Sequence, residues 1–150
     1  MLILLDHRKY NEYFPQLINL GSGRTAASVS AGYYHTCAIL DDGSLKCWGR
    51  NNDGQLGLGS TTDYSTPQTV NLGTGRTAVS VTTGYYHTCV IRDDNSTKCW
   101  GQGSQAQLGQ GMTITKSTLP LSVNFGYGRT AKSVSGGGFH TCAVLDDNSL

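Results

Sequence analysis

The sequence is short of charge and of bulky apolar residues. Asp, Glu, Lys and Arg make up 14% of its 150 residues, against about 25% in an average globular domain. Hydrophobic residues reach 37%, against about 45–50%. Helical bundles and coiled coils draw on Ala, Leu, Glu and Lys, so this composition argues against them. Long apolar runs are missing as well. The stretch Met1 to Leu5 falls far short of a membrane span of about 20 residues. It also precedes Arg8 and Lys9, the reverse of a secretory signal. With 11 basic and 10 acidic residues there is no electrostatic footprint for DNA, RNA or an anionic membrane. Disorder is excluded too, because a net charge of +1 comes with eight Tyr, three Phe and two Trp.

What the chain has in quantity is glycine, 20 residues, together with Thr and Ser. Such material suits short strands joined by tight turns.

Self-similarity organises the chain. Gly23-Arg24-Thr25-Ala26 returns at Gly75-Arg76-Thr77-Ala78 and at Gly128-Arg129-Thr130-Ala131. His35-Thr36-Cys37 returns at His87-Thr88-Cys89 and His140-Thr141-Cys142, and Cys47-Trp48-Gly49 at Cys99-Trp100-Gly101. Gln55-Leu56-Gly57 returns at Gln107-Leu108-Gly109, while Pro15, Pro67 and Pro120 mark one common point. The spacing, 52 or 53 residues, divides a repeat region of 15–150 into units of about 23–74, 75–127 and an incomplete 128–150. Residues 1–14, which contain His7, match nothing later and form a non-repeat segment. Unit three stops at Asp146-Asp147-Asn148-Ser149-Leu150, where unit one continues into Lys46-Cys47-Trp48-Gly49. A stop inside a hairpin reads as a fragment of a longer chain.

Each unit reads as four short strands. Alternation over residues 27–31 predicts the first, with Val29 on one face. Residues 35–40 and 44–48 flank Asp41-Asp42-Gly43, a hairpin signal in which a type I turn is followed by a left-handed residue. Gly43, Asn95 and Asn148 fill that left-handed slot, all residue types that tolerate positive φ. A fourth run follows Pro67, over residues 68–71, after a Gly/Asn/Ser-rich loop. Four strands in about 50 residues is the arithmetic of a β-propeller blade, so the expected class is all-β.

The pattern G-x-x-H-T-C-x-x-x-D-[DN]-x-S-x-K-C-W-G-x(5)-Q-L-G-x-G, over Gly32 to Gly59 and Gly84 to Gly111, closely resembles the repeat of the regulator of chromosome condensation (RCC1) family. The resemblance implies a seven-bladed propeller of four-stranded antiparallel blades, with about three units here and the last incomplete. The paired cysteines resemble the cysteine-bearing variants of the family. Ala106 stands where unit one has Gly54, which predicts a different turn in that loop. The family includes guanine-nucleotide exchange factors, ubiquitin-ligase propellers and a secreted inhibitor of β-lactamases, so the resemblance implies fold more than function.

Hairpin register sets the reading of the cysteines. If Leu40 pairs with Ser44, then Cys37 faces Cys47; if Arg92 pairs with Ser96, then Cys89 faces Cys99. Both pairs fall at non-hydrogen-bonded positions, where Cα atoms come within about 4.5 Å. Cys142 would need a partner at position 152, leaving it an orphan of truncation. Buried free thiols are the alternative. Zinc is disfavoured, since Cys and His recur singly in each unit rather than as a C-x2-C cluster.

His35, His87 and His140 recur once per unit, as a packing residue does and a catalytic one does not. The Asp pairs at 41–42, 93–94 and 146–147 fit turn chemistry better than paired acid–base carboxylates. Arg24, Arg76 and Arg129 either meet an acidic partner at one rim or anchor a loop of their own unit. Trp48 and Trp100 alternate away from the cysteines, toward an inter-blade core, and Gly57 and Gly109 are repeat positions of the framework. Asn95-Ser96-Thr97 is an N-x-T sequon at a turn tip.

No nucleophile–base arrangement, P-loop or dinucleotide fingerprint is present, and no cofactor or metal is expected. The expected function is a non-enzymatic protein-binding scaffold. Its contacts are sought where units differ, in the loops 51–65 and 103–118 and at the turns Tyr33-Tyr34, Tyr85-Tyr86 and Gly138-Phe139. Rival readings are a guanine-nucleotide exchange factor for a small GTPase, a secreted enzyme inhibitor, and a non-functional remnant. Partners are another protein, together with further blades of the same chain or other copies of it. Oxidised cysteines would favour an extracellular or periplasmic site, reduced ones the cytoplasm.

Overall fold

The computed structural model describes residues 3–4 and 16–150. The non-repeat segment 1–14, apart from Ile3 and Leu4, lies outside the described residues, as do His7 and Pro15. Among the described residues every regular element is a strand. A short pair comes first, β1 (Ile3–Leu4) against β2 (Gln16–Leu17). Then come β3 (Ala26–Ala31), β4 (His35–Leu40), β5 (Leu45–Gly49) and β6 (Tyr64–Thr69), hydrogen-bonded in that order as an antiparallel sheet. A second sheet repeats it with β7 (Ala78–Thr83), β8 (His87–Arg92), β9 (Thr97–Gln102) and β10 (Lys116–Ser122). The third unit contributes the hairpin β11 (Ala131–Gly136) and β12 (Thr141–Leu145).

The turns explain why the strands pair as they do. In each hairpin Gly43, Asn95 or Asn148 takes φ of 75°, 62° or 69°, the left-handed conformation the slot requires. Asp42 Oδ1 accepts from the amide and the hydroxyl of Ser44, at 3.0 and 2.6 Å, closing an Asx turn. Asp94 with Ser96 and Asp147 with Ser149 repeat this. The turn fixes the register: Cys37 lies opposite Cys47 and Cys89 opposite Cys99.

The fourth strand differs from expectation. It begins at Tyr64, three residues before Pro67, so the proline lies inside β6 rather than ahead of it. Between Tyr64, paired with Gly49, and Gln68, paired with Cys47, the register shifts. Proline lacks a donor and is tolerated at such an edge bulge. Pro120 occupies the equivalent irregularity in β10.

Burial follows position in the sheet. Every residue of β4 is buried, whereas no residue of β3 or β6 is. The main core lies between the two complete sheets: the Cys37 and Cys47 face of the first, with Leu56 and Val70, meets Val90 and Trp100 of the second. A smaller core joins Cys89, Cys99 and Leu108 to Val134 of the third unit. Trp48 lies on the outer face of the first sheet under Leu20 and Ile18. Val81 and Val134 each pack on the preceding unit's cysteine face, while Val29, the same position in unit one, is 50% exposed.

Candidate functional site

The repeated His and Thr, with Trp100, converge on the seam between units. Thr88 Oγ1 donates to the carbonyl of Gln55, and Trp100 Nε1 donates to the same oxygen, both at 2.9 Å. One backbone oxygen thus uses both lone pairs to hold the neighbouring sheet. His35 Nε2 lies 2.8 Å from Thr88 Oγ1. Since the threonine's single proton goes to Gln55, the histidine must donate, which fixes its Nε2–H tautomer. Burial, and next the adjacent His87, push the His35 pKa down to about 3. His87 repeats the arrangement with Thr141, at 2.9 Å, and Thr141 Oγ1 donates to Gln107 O. Its pKa falls to about 4 by burial, then by His140. His140 itself is exposed. Buried and bonded to the next unit's threonine, His35 and His87 tie each unit to its neighbour.

Gly57 belongs to the same seam. Its φ is +73°, and a Cβ there would lie 2.7 Å from Trp100 Nε1. Glycine lets the indole reach the Gln55 carbonyl.

The cysteines form disulfides Cys37–Cys47 and Cys89–Cys99, each with Cα atoms 4.1 Å apart. Cys142 is free and exposed. Among the described residues no group of three His, Cys, Asp or Glu is placed to hold a metal.

The three arginines serve their own units. Arg24 bridges Asp41 and Asp42, both at 3.1 Å. Arg76 bridges Asp93 and Asp94, and Arg129 bridges Asp146 and Asp147. Asp41 Oδ1 also accepts from the Thr25 amide, tying the hairpin to the loop before the first strand. Of the two readings of these arginines, the geometry matches the loop anchor, because each guanidinium already has two carboxylates.

The tyrosines are arranged differently. Tyr33, Tyr34, Tyr85 and Tyr86, from the turns between first and second strands, join Phe139 in one stripe across three units. Tyr33 and Tyr85 centroids lie 5.0 Å apart, and Tyr85 meets Phe139 edge-on at 5.3 Å. The Arg50 guanidinium lies 5.2 Å from the Tyr34 ring. Tyr33, Tyr85 and Phe139 remain 55%, 43% and 48% exposed. Offset and edge-to-face contacts favour these separations, so the stripe is ordered without being covered.

Two features escaped the sequence reading. Asn51 is fully buried and organises its loop: its amide group donates to Ser60 O and Thr62 O, and its Oδ1 accepts from the Leu56 amide. Unit two has Gly103 there, so repetition gave no signal. The Gln55 carbonyl escaped because a backbone atom leaves no mark in a residue pattern. The Ala106 loop is a correction. Ala106 keeps the turn of Gly54 with φ of 59°, and the bonds Gly54 N to Asn51 O and Ala106 N to Gly103 O are equivalent. At Gly54 a Cβ would meet Ser117 and Thr118 of unit two, whereas Ala106 is exposed and has room for its methyl group.

Four-stranded antiparallel units, stacked face on face through seam bonds that recur from unit to unit, define a β-propeller repeat protein. Two profiles described as the regulator of chromosome condensation (RCC1) repeat match, one over residues 26–55 and 78–107, the other over 42–91 and 99–144. The chain belongs to the RCC1 repeat family. It is 32% identical over 103 residues to the ultraviolet-B receptor UVR8 of Arabidopsis thaliana, covering 69% of this chain and 23% of that protein. To the human probable E3 ubiquitin-protein ligase HERC6 it is 31% identical over 117 residues, 77% of this chain and 11% of the other. The chain therefore spans less than a quarter of either relative. Among solved structures, Prp20p of Saccharomyces cerevisiae superposes with a TM-score of 0.78 at 19% identity, over 86% of this chain and 33% of that one. Human WBSCR16 gives 0.76 at 16% identity, over 88% and 34%. These two likenesses concern the fold.

Proposed function

We propose that this chain is a non-enzymatic, protein-binding part of an RCC1-type propeller, and that the stripe of Tyr33, Tyr34, Tyr85, Tyr86 and Phe139, with Arg50 at its end, is the contact surface. The observation that carries this is the stripe's exposure on a framework whose Arg24, Arg76 and Arg129 pair within their own units and whose His35 and His87 bond across units. His35, His87, Thr88, Thr141 and Trp100 serve the seams and the Arg–Asp pairs serve the turns, while the aromatics present rigid, amphipathic area outward. Tyr and Arg are the residues that dominate binding hot spots. The structure of Prp20p is described with its binding to Gsp1p and histones, which supports a protein partner for the fold and names none for this chain. The two disulfides support an oxidising compartment as the site of action.

The test is photo-crosslinking from position 33 in cells of the source organism, comparing the native stripe with Tyr85→Ser plus Phe139→Ser. The reading expects a discrete crosslinked protein that disappears in the double variant while both disulfides stay intact. An unchanged crosslinking pattern would remove the stripe as the contact surface. Accelerated nucleotide release from a small GTPase would replace the scaffold reading with an exchange factor.

A further inference from the structure

Asn95 is the one asparagine of the sequence followed two positions on by serine or threonine, in Asn95-Ser96-Thr97. It sits at the tip of the β8–β9 hairpin, exposed, with φ of 62°. In unit one the next unit closes this slot: a Cβ at Gly43 would lie 2.7 Å from Thr77, and Gly43 O accepts from the Ala78 amide. In unit two the following strand, β11, is also present, yet the Asn95 side chain stays exposed and bonds to no described residue. Other asparagines are engaged. Asn19, Asn71 and Asn124 each accept the amide two residues on, and Asn148 accepts from Lys132.

Thr97 is the odd residue of this hairpin. Units one and three carry leucine there, Leu45 and Leu150. Leu45 is 1% exposed and belongs to the apolar cluster that includes Leu56, Val70, Val90 and Trp100. Thr97 is 2% exposed, and it brings to the same position a hydroxyl that bonds to nothing among the described residues. Burying an unpaired hydroxyl opposes folding, so packing does not account for threonine here. Its place two positions after an exposed, unbonded asparagine does.

We propose that Asn95 is an N-glycosylation site, modified before its hairpin closes. This rests on the oxidising compartment read above from the two disulfides, since a secreted chain meets both chemistries on its route. The donor is a polyprenyl-linked oligosaccharide. Asn95 Nδ2 attacks the anomeric carbon of the first sugar; a C–N bond forms and the C–O bond to phosphate breaks. The polyprenyl phosphate or diphosphate leaves with the bonding pair, and the amide nitrogen gives one proton to a base of the transferase. Order matters, because in the folded chain Thr97 is out of a transferase's reach and Cys89–Cys99 closes the loop around the sequon. Transfer therefore precedes both. After folding, the glycan lies at the far end of β8 from the Tyr85-Tyr86 turn, six residues or about 20 Å away. It shields the hairpin rim and leaves the aromatic stripe open.

The test is peptide mapping of the protein isolated from its source organism, before and after peptide-N-glycosidase. The expected result is a glycan mass on the peptide holding Asn95, converted to aspartate on release, with Cys37–Cys47 and Cys89–Cys99 intact. Unmodified Asn95 beside intact disulfides would overturn the glycan and leave the compartment standing. Free thiols with an unmodified Asn95 would overturn both. Timing is read by translating the full chain behind a cleavable leader into vesicles of the secretory pathway. Asn95→Gln and Thr97→Leu should each lose the mobility shift, the second with the fold retained, because leucine is the repeat's own residue. Cys89→Ser with Cys99→Ser should raise the shifted fraction. An unchanged fraction, or a shift gained when transferase and donor are added to the folded chain, would sink the order of events.

Discussion

The indole nitrogen of Trp100 lies 2.9 Å from the carbonyl oxygen of Gln55, in the β5–β6 loop of the neighbouring unit and 45 positions earlier in the chain. This bond decides why one otherwise ordinary repeat residue, Gly57, is what it is. Gly57 must lack a side chain to let the ring approach, and Gln55 must present its carbonyl inward, which a tight turn from Asn51 to Gly57 achieves. Replacing Gly57 with alanine forces a Cβ into the indole and a non-glycine residue into left-handed backbone. The backbone part costs roughly 1–2 kcal/mol, and overpacking typically adds about 1–3. Urea denaturation of Gly57→Ala should show a loss within that summed range, and a loss below about 1 kcal/mol would mean the seam is looser than drawn.

A second expectation concerns pH. His35 and His87 are held neutral in the fold, with pKa near 3 and 4, against about 6.5 when unfolded. Between pH 6.5 and 4 the unfolded chain therefore binds protons that the native state refuses. Stability falls as pH drops through this window, by up to about 1.4 kcal/mol per pH unit for each histidine. Asp42, Asp94 and Asp147, lowered mainly by hydrogen bonds from their turn serines, act in a different window: the stability they add is lost only below the ordinary carboxylate range. Chemical denaturation at pH 7, 5.5 and 4.5 checks this, with His35→Gln flattening the dependence. A wild-type chain equally stable at 7 and 4.5 would contradict the buried, neutral assignment.

Much of this was readable from the sequence, and the reason is repetition. A residue that returns at a fixed interval serves the unit, so His35, Cys37 and Trp48 declared themselves by returning at 87, 89 and 100. Turn chemistry then set the hairpin register, and register set the facing cysteines. What repetition cannot show is anything held by the backbone or occurring once. The Gln55 carbonyl, the buried Asn51 and the early start of β6 at Tyr64 belong to that group. The aromatic stripe was half legible: its residues stood out, but their mutual stacking depends on how adjacent units sit against each other.

Thiol chemistry gives a third expectation. Cys37, Cys47 and Cys89 are fully buried and Cys99 nearly so, whereas Cys142 is exposed. Alkylation of the native, unreduced chain should add one label, at Cys142, and denaturation without reductant should add no more. Each disulfide closes a short loop and contributes roughly 2–3 kcal/mol. Cys37→Ser with Cys47→Ser should lower stability by about that amount. Three or more labels on the native chain would show free thiols in place of the bonds.

The last expectation runs toward greater stability. Ala106 occupies the turn position that unit one gives to Gly54, with φ of 59° in a conformation that costs a non-glycine residue roughly 1 kcal/mol. Little compensates at this site, since Ala106 is exposed. The turn bonds on either side, Ala106 N to Gly103 O and Gly109 N to Ala106 O, are made by backbone atoms that glycine also has. Ala106→Gly should therefore keep the loop and relieve the strain, partly offset by the greater freedom of glycine in the unfolded chain. A gain of about 0.5 kcal/mol in urea denaturation is expected. A loss of similar size would mean that unfolded-state entropy outweighs the backbone strain, and the alanine would then be the better residue for this turn.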